Sequence, residues 1–261
     1  MSYNTIKFDV RDGIAKITLN RPDKLNAFSD EMHEELRAIM PTLASDKIRA
    51  VLITGEGRAF GAGADLSGES ASGGPALDAG ETLEKNYNPL ILFLRNLDKP
   101  VIAAVNGIAA GASMSLALAC DIVLAAKSAS FLQAFCNIGL IPDAGSTYFL
   151  PRLVGTGKAM GLTMLGEKLP ADEAERMGLI WKCYEDAELM PAAEALAARM
   201  AAGPTKGYAL IKKAMNASLE NNLAEQLDIE KDYQRAAAAT EDFGEGVAAF
   251  LQKRKADFKG R

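Results

Sequence analysis

The sequence predicts an α/β fold, and three observations carry that prediction. Apolar, strand-length runs recur at 50–54, 100–105 and 121–125. Stretches with helical periodicity lie between them, which indicates β-α units and a largely parallel, covered sheet. After about residue 150 the strand signals nearly vanish and helical patterns take over, so a helical tail follows the α/β core.

The elements follow in order. The first 19 residues read as two strands joined by a turn at Asp12-Gly13. Ile6, Phe8 and Val10 alternate with polar neighbours, and Ile14, Ile17 and Leu19 do so more loosely. Residues 20–24 form a loop. Ser29 is a helix N-cap, and Asp30 and Glu31 suit the positive end of the helix dipole. Met32, Leu36, Ile39, Met40 and Leu43 give that helix one apolar face. Residues 67–80, rich in Gly, Ser and Ala, read as a mobile loop and a candidate lid. A helix then runs to about Leu97, and 111–119 is helical. Residues 191–202, 205–217, 223–236 and 242–253 also read as helices, with Pro191 at a first helical position, where its missing N–H costs nothing.

Composition narrows the function. The chain has 261 residues, 49% hydrophobic and 24% charged, as in an ordinary soluble globular protein. A net charge of −5 argues against a dedicated nucleic-acid surface, and Lys253-Arg254-Lys255 is a short basic helix end. No apolar stretch spans a bilayer and no leader pattern is present, so the expectation is a cytoplasmic protein. Cys120, Cys136 and Cys183 form no CxxC motif and read as buried free thiols rather than disulfides or metal ligands. The single histidine, His33, lies beside Glu34 and Glu35 and is expected at the helix surface. It rules out a Ser–His triad unless it is itself the base.

Two small-residue turns stand out, 58–66 and 106–112, with an acid downstream at Asp143 in Gly139-Leu140-Ile141-Pro142-Asp143-Ala144-Gly145. Small residues let backbone N–H groups approach a ligand closely. Two such turns, converging, can hold an oxyanion while a carboxylate moves a proton. The plain alternative for Asp143 is a turn or an N-terminal helix cap before Ser146-Thr147. Asp65 is expected to fix its turn and Asp121 to serve a structural hydrogen bond.

These segments resemble the crotonase superfamily of enoyl-CoA hydratases and isomerases over nearly the whole chain. The likeness includes Leu19-Asn20-Arg21-Pro22 with Leu25-Asn26-Ala27, then 99–107, Cys120-Asp121-Ile122 and Phe250-Leu251-Gln252-Lys253-Arg254. A finer likeness, to the isomerase subgroup acting on ring-epoxide thioesters of phenylacetate breakdown, lies in Tyr87-Asn88-Pro89-Leu90, 139–143 and 228–235. The resemblance implies a spiral of ββα units over 1–200 with the acyl-CoA site, and a helical oligomerisation region over 201–261. It implies a homotrimer or dimer of trimers, with no metal and no cofactor apart from the coenzyme A of the substrate. No nucleic-acid or membrane partner is expected.

The resemblance also assigns residues. The oxyanion donors are the amides of Ala64 and Ala112. Where the family's hydratases carry two glutamates, this chain has Ser115 and Phe135, either of which is expected to line the pocket. Ser115 has a second expected role, bonding back to its own helix. Asp143 matches the single aspartate of the isomerase subgroup. Lys24, Asn26 and Ala27, with Ala62, Gly63, Asp65, Leu66 and Gly111, are expected around coenzyme A and the thioester. Phe250 and Lys253 match positions that reach coenzyme A across a subunit boundary. The implied activity is double-bond migration in an enoyl thioester or rearrangement of a ring epoxide. Three other readings stand beside it: a hydratase with an unusual acid, a dehalogenase using the aspartate as nucleophile, and a non-catalytic CoA-ester- or RNA-binding relative.

Overall fold

A computed structural model describes residues 3–67 and 78–261, and the fold begins with a hairpin. Strands β1 (Ile6–Arg11) and β2 (Ile14–Leu19) pair antiparallel. Asp12 and Gly13 between them both adopt positive φ, 51° and 76°. Two successive left-handed residues match the twist of the strands they join. Helix α1 (Asp30–Ala44) starts at the expected cap, with the Ser29 hydroxyl accepting from the Met32 amide at 3.2 Å. Its far end is closed by Lys99, whose ammonium donates to the Ala44 and Ser45 carbonyls at 2.7 and 2.8 Å. A cation there meets the negative end of the helix dipole.

A repeating unit follows: a long strand, a short strand, then helix. The first holds β3 (Ala50–Gly55), β4 (Ala59–Gly61), α2 (Ala79–Thr82), a π-helical turn (Leu83–Tyr87) and α3 (Asn88–Asn96). The second holds β5 (Val101–Val105), β6 (Ile108–Ala110) and α4 (Ala112–Ala119). The third holds β7 (Ile122–Ala126), β8 (Ser130–Leu132), a 3-10 turn (Ala134–Ile138) and α5 (Ser146–Val154). Next come α6 (Thr156–Leu165), β9 (Lys168–Pro170), α7 (Ala171–Arg176) and β10 (Lys182–Tyr184).

The long strands stack into a six-stranded sheet in the order β1-β2-β3-β5-β7-β10, parallel beyond the hairpin. The short strands make a second sheet, β4-β6-β8-β9, parallel except at β9. Moving from sheet to sheet needs a tight corner. A Cβ on Gly107 would sit 2.1 Å from the Arg58 carbonyl oxygen, so only glycine fits there. Strands β3 and β5 are buried along their whole length, as apolar runs in a covered parallel sheet should be.

The chain closes with α8 (Asp186–Ala201), α9 (Thr205–Ala217), α10 (Leu223–Ala238) and α11 (Glu241–Gln252). Arg49 ties this end to the core, donating to Thr205 Oγ1 at 3.0 Å and to the Phe258 carbonyl at 3.1 Å. Among the described residues no helix is long and apolar enough to cross a membrane.

Several expectations are corrected. Strands persist beyond residue 150 as β9 and β10, three residues each and too short to show alternation. The two small-residue turns each contain a short strand, β4 and β6. Helix α8 begins at Asp186, so Pro191 lies inside it. One apolar face through Leu189, Ala193 and Ala197 outweighs the single backbone bond that proline forfeits. His33 is 4% exposed, stacked on Phe28 with centroids 5.1 Å apart and edge-on to Tyr87 at 4.4 Å. Cys120 is buried, whereas Cys136 and Cys183 are half-buried; all three are free thiols. Most of the candidate lid lies outside the described residues.

Candidate active site

The first turn is built by pairing. Phe28 donates its amide to the Gly63 carbonyl at 2.8 Å and accepts from the Asp65 amide at 2.9 Å. Strand alternation then turns the N–H of Ala64 to the opposite side. The second turn ends at Gly111, whose φ of 52° starts α4 at Ala112. The first amides of a helix have no partner inside it. Among the described residues neither the Ala64 nor the Ala112 amide donates a hydrogen bond.

The two turns touch. A Cβ on Gly63, whose φ is 90°, would lie 3.1 Å from the Ala110 carbonyl oxygen and 3.5 Å from the Ala112 nitrogen. Ser113 locks them by accepting from the Gly63 amide at 3.0 Å. The sequence reading passed over Ser113. The available signal was a hydroxyl one residue beyond the expected oxyanion donor Ala112, on a helix buried all round.

Asp143 is carried by the loop before α5. Ala144 and Gly145 follow it with φ of 47° and 87°. A left-handed alanine costs about 1–2 kcal/mol, strain of the kind that gathers at functional sites. The Asp143 Oδ1 atom is buried and has no hydrogen-bond partner among the described residues. Burial pushes its carboxyl up to about 6 from an ordinary 3.8. Tyr87 stands close enough that, after its own burial, the charge of Asp143 raises its hydroxyl further. The Phe135 ring borders Gly111 and is buried. A separate groove lined by Ile91, Arg95, Gly145, Phe149 and Asn216 touches the same loop but does not include Asp143.

The geometry therefore offers two touching turns with free amides at Ala64 and Ala112 and, among the described residues, a carboxylate oxygen of Asp143 without a donor, on a ββα spiral. The family model described as Enoyl-CoA hydratase/isomerase matches residues 9–261. The chain belongs to the enoyl-CoA hydratase/isomerase family. The 1,2-epoxyphenylacetyl-CoA isomerase of Escherichia coli is 49% identical over 254 residues, 97% of each chain. A Rhodobacter capsulatus protein named "Probable enoyl-CoA hydratase" is 46% identical over 261 residues, all of both chains. The solved enoyl-CoA hydratase of Bacillus anthracis superposes with a TM-score of 0.92 at 33% identity, covering 99% of this chain and all of that one.

The other residues expected at an enoyl-CoA hydratase/isomerase site fall into four groups. Ala62, Gly63, Asp65 and Leu66 surround Ala64, and Leu66 is exposed. Arg21 reaches Asp65 Oδ2 at 2.7 Å, while the Ser67 amide and hydroxyl donate to Oδ1. The Ser67 bonds and then Arg21 hold the Asp65 carboxyl down at about 2. Lys24 is exposed on the 3-10 turn Pro22–Lys24, and Ala27 is buried behind it. Asn26 faces inward: its amide donates to the Glu56 and Ala59 carbonyls at 2.9 and 2.8 Å, and its Oδ1 accepts from the Arg21 amide. Its side chain is fully used in shaping that loop.

Ser115 is buried and faces Asp143: its hydroxyl donates to the Asp143 carbonyl at 2.9 Å. Phe250 and Lys253 are not brought to this site within one chain. Phe250 is exposed on α11, in a groove with Pro204, Val247 and Phe258, and Lys253 is the left-handed residue ending that helix. Among the described residues no cluster of three or more His, Cys, Asp or Glu is placed to hold a metal.

Proposed function

We propose that this chain is an acyl-CoA isomerase working through a thioester enolate, with Asp143 as its single base. The carrying observation is the state of Asp143: among the described residues its buried carboxylate oxygen has no donor, and its loop is bonded through Ser115 to the helix that begins at the free Ala112 amide. The thioester carbonyl sits between the amides of Ala64 and Ala112. Asp143 removes a proton from C2, and the charge moves onto the carbonyl oxygen, where the amides stabilise it. The same carboxyl returns the proton at C4, and a Δ3-enoyl thioester becomes the conjugated Δ2 form. With a ring epoxide the enolate drives C–O cleavage and rearrangement of the ring. A base titrating near 6 stays ionised at neutral pH and is stronger than an ordinary carboxylate.

The name of the Escherichia coli relative supports the ring-epoxide thioester as substrate. Coenzyme A enters as part of that substrate, held by the Lys24–Asn26–Ala27 loop and the turn around Ala64. The exposed apolar side chains Leu223, Phe250 and Leu251 support assembly into a homotrimer or a dimer of trimers, in which Phe250 and Lys253 meet a neighbour's coenzyme A. The hydratase name of the Rhodobacter capsulatus relative favours a second reading, water addition. Ser115 and Phe135 speak against it, because neither can activate water as a carboxylate does.

Purified protein offered a Δ3-enoyl-CoA, the ring-epoxide thioester and crotonyl-CoA separately should isomerise at least one of the first two and hydrate the third slowly. Fast hydration without isomerisation would reject the proposal.

A further inference from the structure

We propose that Ser115 is a positioning residue: it clamps the loop carrying Asp143 onto the helix that supplies the Ala112 amide. The inference rests on the reading of Asp143 as the base. Ser115 lies three residues after Ala112, so both share one face of α4. Its oxygen lies 3.3 Å from the Gly111 carbonyl on the oxyanion side and 2.9 Å from the Asp143 carbonyl on the base side. One hydroxyl therefore touches both halves of the site.

A proton count gives the clamp a direction. Ser115 has a single proton, and the shorter contact sends it to the Asp143 carbonyl. Ser146 Oγ, 2.7 Å away, must then donate to Ser115 Oγ. Ser146 Oγ in turn accepts from Gln133 Nε2 at 3.0 Å. Gln133, Ser146 and Ser115 are all buried, at 1%, 0% and 0% exposure. Each hydrogen bond in such a dry chain is stronger than in water and polarises the next.

The chain has a mechanical task. The Asp143 carbonyl also accepts from the Ser146 amide at 2.9 Å, but that bond reaches only the first residue of α5, which follows the same loop, and makes no link to α4. The left-handed Ala144 stores strain that a free loop would release. Ser115 supplies the link from the Asp143 backbone to α4. The position that holds a water-activating glutamate in the family's hydratases thus serves here to aim a different acid.

The test uses Ser115→Ala and Ser146→Ala, each in the wild-type chain and with Asp143→Asn. The readouts are kcat, KM, exchange of the substrate C2 proton with deuterated solvent, and the kcat–pH profile. Ser115→Ala should lower kcat and exchange roughly tenfold to hundredfold, as a base displaced by a fraction of an ångström does. KM should change less than about twofold, and the acid limb of the profile should move from its wild-type position. Ser146→Ala should act the same way more weakly. With Asp143→Asn already present, neither substitution should lower the residual rate further.

A folded Ser115→Ala protein with unchanged kcat and pH profile would overturn the clamp. So would an equal loss in the Asp143→Asn background, which would place the effect elsewhere. If Ser115→Ala does not fold, Ser146→Ala decides by the same two criteria. Full activity in Asp143→Asn alone would instead overturn the base assignment, a result distinct from failure of the clamp.

Discussion

Asp121 and Asp143 are the same residue type in opposite surroundings. Asp121 Oδ2 accepts from Lys212 Nζ and from the Val101 amide, both at 2.8 Å, and Arg95 stands 3.9 Å from Oδ1. Lys212 also donates to the Leu94 carbonyl at 2.7 Å, so this corner fastens α9 to α3 and β5. Among the described residues Asp143 has no donor at Oδ1. A carboxylate whose charge is met on several sides is a joint. One whose buried oxygen is met by no donor suits the proton-accepting role proposed for Asp143. Partners, not residue identity, divide structure from chemistry here.

The contrast predicts a double dissociation. Asp143→Asn should lower kcat about 10³-fold, roughly 4 kcal/mol of transition-state stabilisation, within the usual range for a general base. Asp121→Asn should leave kcat per folded molecule near wild type and lower the urea midpoint. Steady-state rates normalised to the folded fraction separate the two, and equal losses of kcat would erase the distinction.

Next in size is Lys212→Met. The Lys212 side chain is 8% exposed and that of Asp121 20%, so removing the ammonium strands a poorly hydrated carboxylate. Breaking such a pair from one side costs about 3 kcal/mol, with Arg95 and residual solvent reducing it toward 2. Urea denaturation reads the loss directly. A variant as stable as wild type would show that the Lys212 corner contributes nothing to holding α9.

Much of this frame was legible in the sequence, for a physical reason. Strands β3 and β5 are covered on both faces, which forces continuous apolar runs, and Ser29 caps α1 through a purely local bond. Both turns of the site declared themselves through small residues, because backbone cannot approach backbone past a bulky Cβ. What stayed hidden depends on long-range partners. The three-residue strands of the second sheet are too short for any period to show. His33 is drawn inward by Phe28 and Tyr87, aromatics from a preceding loop and a later π turn that no helical wheel of α1 includes. The bond from Ser115 to Asp143 spans 28 positions and exists only once the third ββα unit has packed.

The smallest effects lie in the pH dependence of stability, where two buried groups pull in opposite directions. The carboxyl of Asp143 is raised to about 6 in the folded chain from an ordinary 3.8. Between pH 4 and 6 the unfolded chain releases that proton while the folded chain retains it, so stability falls as pH rises through this window. Asp143→Asn removes the penalty. It should gain about 1 kcal/mol at pH 8, after discounting for the part of the group that faces solvent, and almost nothing below pH 4. His33 runs the other way. Burial, partly opposed by Asp30, lowers its imidazole to about 4 from 6.5, and both ring nitrogens lack partners among the described residues. As pH falls from 6.5 to 4 the unfolded chain takes up a proton that the folded chain refuses, and stability is lost. His33→Phe keeps the stack on Phe28 and cannot titrate, so its advantage over wild type should grow as pH falls through that window. Urea midpoints of both variants at pH 4, 6 and 8 should therefore diverge from wild type at opposite ends of the scale. Parallel curves for His33→Phe would mean that water reaches the imidazole in solution and that its charge is tolerated.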